Sequence, residues 1–360
     1  METILKCMYV PESSKILKDF KYHFNEHGEL RHLDTNEEFA YNSYKGDYKR
    51  NHKRYQVLGQ IITQYVYELL DKACNLQKIY FPIDAHPNEP LSCFYLSEEA
   101  LINPSSLIVL LQDQGVIRAG QWGQKAIIHH SLEKGTQIPF IQRALEEYGG
   151  VIVLNPNDNF IAMKTEEECV IKKEESLSET NPANASFEIE EPPEIAKRGS
   201  STPEEHTRYV WDFFISKSAA TNVAFIAHGY GGLAFVDLLL QRKLEIMAKV
   251  FAVAFIDSLH HVQHQARENP EVQSWILKHA RGWIASSLPL DRSTGSLMKL
   301  DCPTVSAGTE NHELTPSLSL NSIFRFLARS LRAKSSVVGS PTPVQTRSAT
   351  KKKTTNKLSL

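Results

Sequence analysis

The sequence predicts an α/β fold around a doubly wound, mostly parallel sheet, preceded by a small N-terminal hairpin and a long helix. Three observations lead there. Short continuous apolar runs recur along the chain, as in Ser-Leu-Ile-Val-Leu-Leu at 106–111, which suits a strand covered on both faces. Segments with three-to-four apolar spacing lie between those runs. One run, at 222–227, passes through a glycine-rich turn directly into a helical segment at 233–241.

The elements follow in order. Residues 20–41 alternate around Glu26-His27-Gly28, which predicts the hairpin. Residues 53–74 form the clearest helix, with Tyr55, Leu58, Ile61, Ile62, Tyr65, Leu69 and Leu70 on one face. Strands are expected at 78–82, 92–96 and 106–111, a helix at 138–148, and a buried strand at 150–154. A helix at 204–216 carries Tyr209, Val210, Phe213 and Phe214 on its apolar side. Strands at 250–256 and 303–307 and a closing helix at 322–331 complete the set. Residues 164–203 are rich in Glu, Ser and Pro, too polar to offset chain entropy, and are expected to form a disordered acidic insertion. Residues 334–360, with Lys351-Lys352-Lys353 and no acid, are expected to be a basic disordered tail. This divides the chain into an N-terminal segment (1–18), one domain (19–163 with 204–333), the insertion and the tail.

Composition narrows the function. A chain of 360 residues that is 41% hydrophobic can bury a substantial core. A net charge of −2 supplies no global attraction for nucleic acid or membranes, beyond a weak patch in the basic tail. No apolar run reaches membrane-spanning length, and the first residues lack the pattern of a secretion signal. Five scattered cysteines without metal or redox spacing point to a reduced, intracellular compartment. Asn184-Ala185-Ser186 matches a glycosylation sequon and is read as chance in that compartment. There is no internal repeat, and the ending Lys-Leu-Ser-Leu matches no common address signal.

The turn His228-Gly229-Tyr230-Gly231-Gly232 has the setting of the nucleophile elbow, G-x-S-x-G, so the expected fold is α/β-hydrolase-like. The middle position holds Gly229, which has no oxygen to attack a carbonyl. Asp257, after the strand at 250–256, and His312, after the strand at 303–307, stand in the order and strand-end places of the acid and base. Gly229, Asp257 and His312 are therefore read as relict triad positions with no active catalytic residue expected. Glycine also suits a sharp turn at little steric cost. The oxyanion-loop positions are Gln112, Asp113 and Gly115, with Tyr230 beside the elbow. Asp113 would place negative charge near a developing oxyanion, which opposes catalysis. His260, His261 and His264 near Asp257 show a four-residue spacing but no third ligand, so no metal or cofactor is expected.

Longer strings carry a family resemblance. They are Phe24-Asn25-Glu26-His27-Gly28-Glu29-Leu30-Arg31-His32, Arg118-Ala119-Gly120-Gln121-Trp122, and Gly135-Thr136-Gln137-Ile138-Pro139-Phe140-Ile141. Val151-Ile152-Val153-Leu154-Asn155-Pro156-Asn157, Ser201-Thr202-Pro203-Glu204-Glu205-His206 and Ser306-Ala307-Gly308-Thr309-Glu310-Asn311-His312-Glu313-Leu314 continue them. The chain resembles the argonaute-binding-protein-two domain family, on the side of the animal cotranscriptional regulators and their less-studied paralogue. The resemblance implies an α/β-hydrolase-like fold acting through protein partners of the argonaute, RNA-silencing, chromatin or splicing machinery, in nucleus and cytoplasm. It also implies a serine at position 229 and a His-Gly-type loop at 112–113, and this chain departs from both. The expected function is a catalytically inactive interaction protein. An unconventional hydrolase using Asp257, His312 and another nucleophile, and a small-molecule sensor that keeps the pocket, stay open as alternatives.

Overall fold

The chain is described by a computed structural model covering residues 11–102, 105–162, 194–295 and 302–338. A helix, Ser13–Asp19, leads into an antiparallel pair, β1 (Tyr22–Phe24) and β2 (Leu30–His32), with Phe24 opposite Leu30. The long helix Tyr48–Lys72 starts five residues before the expected point, because the Asp47 carboxylate caps it by accepting from the Arg50 N–H at 2.9 Å. Leu58, Ile62, Val66 and Leu70 recur one turn apart and are all buried.

The remaining strands are β3 (Leu76–Phe81), β4 (Ser92–Ser97), β5 (Ser106–Leu111), β6 (Val151–Val153), β7 (Phe160–Ala162), β8 (Glu194–Ala196), β9 (Asn222–His228), β10 (Val250–Ile256), β11 (Ala280–Ile284) and β12 (Thr304–Ser306). Eight of them form one sheet in the order β12-β11-β10-β9-β5-β6-β4-β3. Every neighbouring pair from β6 to β12 is parallel, whereas β4 runs antiparallel to both β6 and β3. From β5 the chain moves to β6 on one side, and from β9 it moves to β10 on the other. The order therefore reverses between β5 and β9. Crevices in open α/β sheets form at the carboxyl ends of strands at such a reversal.

Period-two alternation divides the core into two layers. Ile108 and Leu110 face the side covered by Tyr48–Lys72, Ile138–Tyr148 and the closing helix Thr315–Val338. Leu107, Val109 and Leu111 face the side covered by Pro203–Val210, Gly231–Gln241 and Pro270–His279. Both faces being covered is why β5, β9 and β10 read as apolar runs rather than alternating patterns.

The sequence-based expectations differ from the structure in several places. β11 was not expected, because Ala-Arg-Gly-Trp-Ile breaks the apolar run that marks its neighbours. Parallel pairing to both β10 and β12 overrides that weak local pattern. The N-terminal segment set apart at 1–18 contributes the helix Ser13–Asp19, whose Leu17 is buried in the main core. At the end of the acidic insertion, β8 pairs with β7 through Ala196 opposite Phe160, so 194–203 is ordered structure; residues 164–193 lie outside the described residues. The closing helix runs seven residues earlier and seven later than expected and takes in 334–338 of the basic tail. Lys351-Lys352-Lys353 and Asn184-Ala185-Ser186 lie outside the described residues. The helix expected at 204–216 is α-helical over Pro203–Val210 and continues as a π-helical turn, Trp211–Ile215.

Candidate functional site: an aspartate–histidine pair with an internal carboxylate

The crevice at the strand-order reversal is built by register. β5 and β9 pair in parallel with Leu111 opposite Ala227, so the residues that follow, Gln112-Asp113 and His228-Gly229, leave the sheet side by side. Gly229 has φ of +53°, the left-handed region that glycine enters at little cost. Its N–H donates to Ile256 O at 3.0 Å, and its own carbonyl accepts from Leu259 N at 3.0 Å, which ties the elbow to the end of β10. Gly232, the second residue of the following helix, packs against Ser258, whose hydroxyl a Cβ at 232 would overlap.

Asp113 occupies the chemically decisive space. Its Oδ1 accepts from the Tyr230 N–H at 2.6 Å and from the Gln114 N–H at 2.9 Å. The N–H of the residue after a nucleophile is an oxyanion donor in elbow enzymes, so here a resident carboxylate holds that donor. A Cβ built on Gly229 would lie 2.5 Å from Asp113 Oδ2 and nearer still to its Cγ and Oδ1. The carboxylate thus fills both the place of a developing oxyanion and the place of a side chain at 229. Charge-assisted hydrogen bonds of this kind contribute on the order of 1.5–3 kcal/mol each.

Two of the three expected triad positions meet. Asp257 Oδ2 lies 3.2 Å from His312 Nδ1, and Asp257 Oδ1 accepts from the Ala285 N–H at 2.7 Å. The Asp257 N–H donates to Trp283 O at 2.8 Å, so the unexpected strand β11 is what aims the acid. The Asp257 side chain is 12% exposed and that of His312 78% exposed, so the base stands in solvent at the rim. Asp113, His228, Gly229, Asp257 and His312 together line a cavity of about 450 Å³.

The other expected positions are used differently. Gln112 is buried and does not line the cavity. Gly115, with φ of +121°, is exposed in the loop beyond it. Tyr230 contributes only its backbone, because its hydroxyl donates to Glu204 Oε1 at 2.6 Å. That carboxylate, followed by burial, pushes the phenol up to about 12. His260 stacks on Phe255 at 3.9 Å between centroids and pairs through Nδ1 with Ser258 Oγ at 2.7 Å. Burial, reinforced by the neighbouring His261, pushes its imidazole down to about 4. His261 Nδ1 accepts from the His264 N–H at 3.2 Å.

Sequence reasoning missed four kinds of wall. His228 borders the cavity, its ring 5.8 Å from Trp122 in an edge-on contact. Burial holds its imidazole below the ordinary value, opposed by the Asp113 and Asp257 charges. Tyr55, on the apolar face of the long helix, also lines the cavity, with burial raising its phenol. Lys125 and Glu313 form a rim ion pair at 3.5 Å. Adjacency to Gly229 and to His312 was the available signal for His228 and Glu313; Trp122 sat in a family string with no role attached.

A buried polar network holds the Asp113 loop. Asn157 Nδ2 donates to Asp113 O at 2.8 Å and to Ile117 O at 3.0 Å, and Asn155 Oδ1 accepts from the Ala119 N–H at 2.9 Å. His206 Nε2 accepts from the Asn155 N–H at 3.0 Å, and its Nδ1 lies 2.9 Å from Ser200 Oγ. Burial, with Lys197 nearby, pushes His206 down to about 3, so it is a neutral acceptor inside the fold.

Comparison with known proteins gives a consistent set of relatives. The family model described as the Arb2 domain matches residues 13–290. The chain is 49% identical over 348 residues to the Homo sapiens protein ARB2BP, covering 95% of this chain and 96% of that protein. It is 46% identical over 345 residues to the cotranscriptional regulator ARB2A of Mus musculus, covering 89% and 82%. For the Homo sapiens cotranscriptional regulator ARB2A the identity is 45% over 341 residues, covering 89% and 82%. A solved structure of the histone deacetylase Clr3 is similar over 76% of this chain and 39% of that chain, at 13% identity and a TM-score of 0.45, too distant to bear on function.

Two expectations follow from this geometry. Gly229→Ala should destabilise the fold by about 1–3 kcal/mol, since the added methyl meets Asp113 at a left-handed backbone position. In an Asp113→Gly background that penalty should shrink by about 1 kcal/mol or more; strictly additive urea-unfolding energies would contradict the contact. The second concerns pH. His206 and His260 resist protonation when folded (about 3 and about 4) but take a proton near 6.5 when unfolded. Stability should therefore fall as pH drops below about 6.5, with a slope of up to about 1.4 kcal/mol per pH unit for each histidine. Urea midpoints at pH 7, 6 and 5 measure it, and His260→Gln should flatten the slope.

Proposed function

Because the chain belongs to the Arb2 domain family, we propose that it is a hydrolase-fold interaction protein without hydrolytic turnover, serving in cotranscriptional regulation as its named relatives do. One observation carries the reading: the Asp113 carboxylate sits over Gly229 on the Tyr230 N–H. A substrate carbonyl there would meet no nucleophile and a negative charge in place of an oxyanion donor. Losing the nucleophile alone removes on the order of a million-fold of the rate in a triad protease. The residual Asp257–His312 pair has nothing to deprotonate at position 229. Its work is then assigned to protein partners of the argonaute, RNA-silencing or splicing machinery, in the nucleus and cytoplasm. No cofactor is required by this role.

The closest enzymatic alternative, a hydrolase with another nucleophile, is tested together with the main reading. The purified chain should neither turn over simple esters nor react with a fluorophosphonate probe. Gly229→Ser alone should stay unlabelled, because the new side chain meets Asp113. Gly229→Ser with Asp113→Gly should gain labelling that His312→Ala abolishes. Ester turnover by the natural chain that is lost on His312→Ala would overturn the proposal. A small-molecule sensor is favoured by one observation, the cavity of about 450 Å³ retained beside the pair. Thermal-shift measurements against hydrophobic esters, acids and amines check it, and no stabilisation by any class would reject it. Affinity purification from nuclear extract, read by mass spectrometry, should recover argonaute or spliceosome components if the assignment of partners is right.

A further inference from the structure

The N-terminal hairpin and the start of the long helix enclose a second cavity, of about 460 Å³, that shares no lining residue with the first. Lys21, Arg50, Lys53 and Arg54 line it, and Asp19 is the one carboxylate in its wall. Among the described residues, ion pairs are made by other cations, such as Arg31 with Glu29 and Glu38. Four positive groups thus gather around one concave space with a single opposing charge, in a chain whose net charge is −2. Like charges brought together repel, and a concave low-dielectric wall focuses the field on an incoming anion.

The two arginines are fixed by neutral groups, which orient them without cancelling their charge. Arg54 Nη1 donates to Ala40 O and to Ser43 Oγ, each at 2.9 Å, and its Nη2 donates to the Tyr22 hydroxyl at 3.1 Å. Its guanidinium also lies 4.3 Å from the centre of the Phe39 ring. A guanidinium carries five N–H donors, so two remain for a ligand. Arg50 rests 3.8 Å over the Tyr44 ring. Lys21 has φ of +68°, a conformation rare for a residue with a side chain, locked by its N–H to Lys18 O and by Leu33 N to its own carbonyl. His32, also in the wall, accepts at Nδ1 from the Asp34 and Thr35 N–H groups, which leaves Nε2 as its proton-bearing nitrogen.

We infer that this cavity binds the phosphoryl group of a phosphorylated serine or threonine on a partner polypeptide. A phosphomonoester brings close to two negative charges and three acceptor oxygens, a better match than a carboxylate for four cations and a held guanidinium. The cavity accommodates one such group with its flanking atoms. The adjoining segment mixes Lys45 and Lys49 with Asp34, Glu37, Glu38 and Asp47, so the surface beside the cavity alternates in sign rather than extending as a uniform positive track for a nucleic-acid backbone. The inference does not depend on the state of the relict triad.

The test uses the full chain and a short, glycine-flanked phosphoserine peptide with a fluorescent label, beside its unphosphorylated twin. Fluorescence anisotropy should show the phosphorylated form binding about tenfold tighter or more, with inorganic phosphate displacing it. Arg50→Ser with Lys53→Ser should abolish the difference between the twins. Both side chains are exposed, so the unfolding midpoint should be kept. Lys21→Ser, outside the helix, should weaken phosphopeptide binding without affecting the twin. Equal binding of the twins, or full phosphopeptide binding by the double variant, would overturn the inference. So would displacement by oligouridylate at a lower phosphate concentration than inorganic phosphate requires, which would assign the cavity to nucleic acid.

Discussion

The hydrogen bond from the Tyr230 N–H to the Asp113 carboxylate is the constraint on which the crevice depends. It joins the two loops that leave the sheet where strand order reverses, and it is made possible by the in-register pairing of β5 with β9. It also requires that residue 229 have no side chain, since any Cβ there would collide with the carboxylate. Gly229 and Asp113 are therefore one feature seen at two positions. The backbone donor after residue 229 holds a carboxylate and so acts as a structural joint between the two loops.

That joint is held from behind by buried polar side chains. His206 fixes Asn155, Asn155 holds the Ala119 N–H, and Asn157 bridges Asp113 O and Ile117 O. Several strings that carry the family resemblance meet in this network, including the segments around Arg118, Asn155 and His206. Their polar residues satisfy backbone groups that would be costly to leave unpaired in the interior. Three of the six strings that carry the resemblance thus serve as scaffold for one loop. The Asp257–His312 pair sits on the opposite wall with the base in solvent, and its geometry comes from β11 rather than from the elbow.

The two cavities contrast in their electrostatics. The first has three carboxylates: Asp113 and Asp257, satisfied by backbone N–H groups and a histidine, and Glu313, paired with Lys125 at the rim. The second has four cations and one carboxylate, Asp19, with Arg54 held by carbonyl, hydroxyl and aromatic groups and Arg50 by an aromatic ring. One crevice thus uses its carboxylates on internal contacts, whereas the other presents net positive charge.

By itself, the sequence determined the layered α/β class, most sheet strands, and the order Gly229, Asp257, His312. The reason is that fully buried strands must be apolar throughout and a strand-to-helix elbow needs glycine. It also identified Asp113 as opposed to oxyanion chemistry, since a charge needs no coordinates to be the wrong sign. What it left open was decided by long-range pairing. β11 has too weak an apolar pattern to be read locally, yet backbone groups of Trp283 within it and Ala285 just after it orient Asp257. Tyr55 reads as one more residue on a helix face until the sheet brings it to the cavity. Only tertiary structure placed the Asp113 carboxylate within the volume of the missing side chain, because residues more than a hundred positions apart meet there through strand register alone.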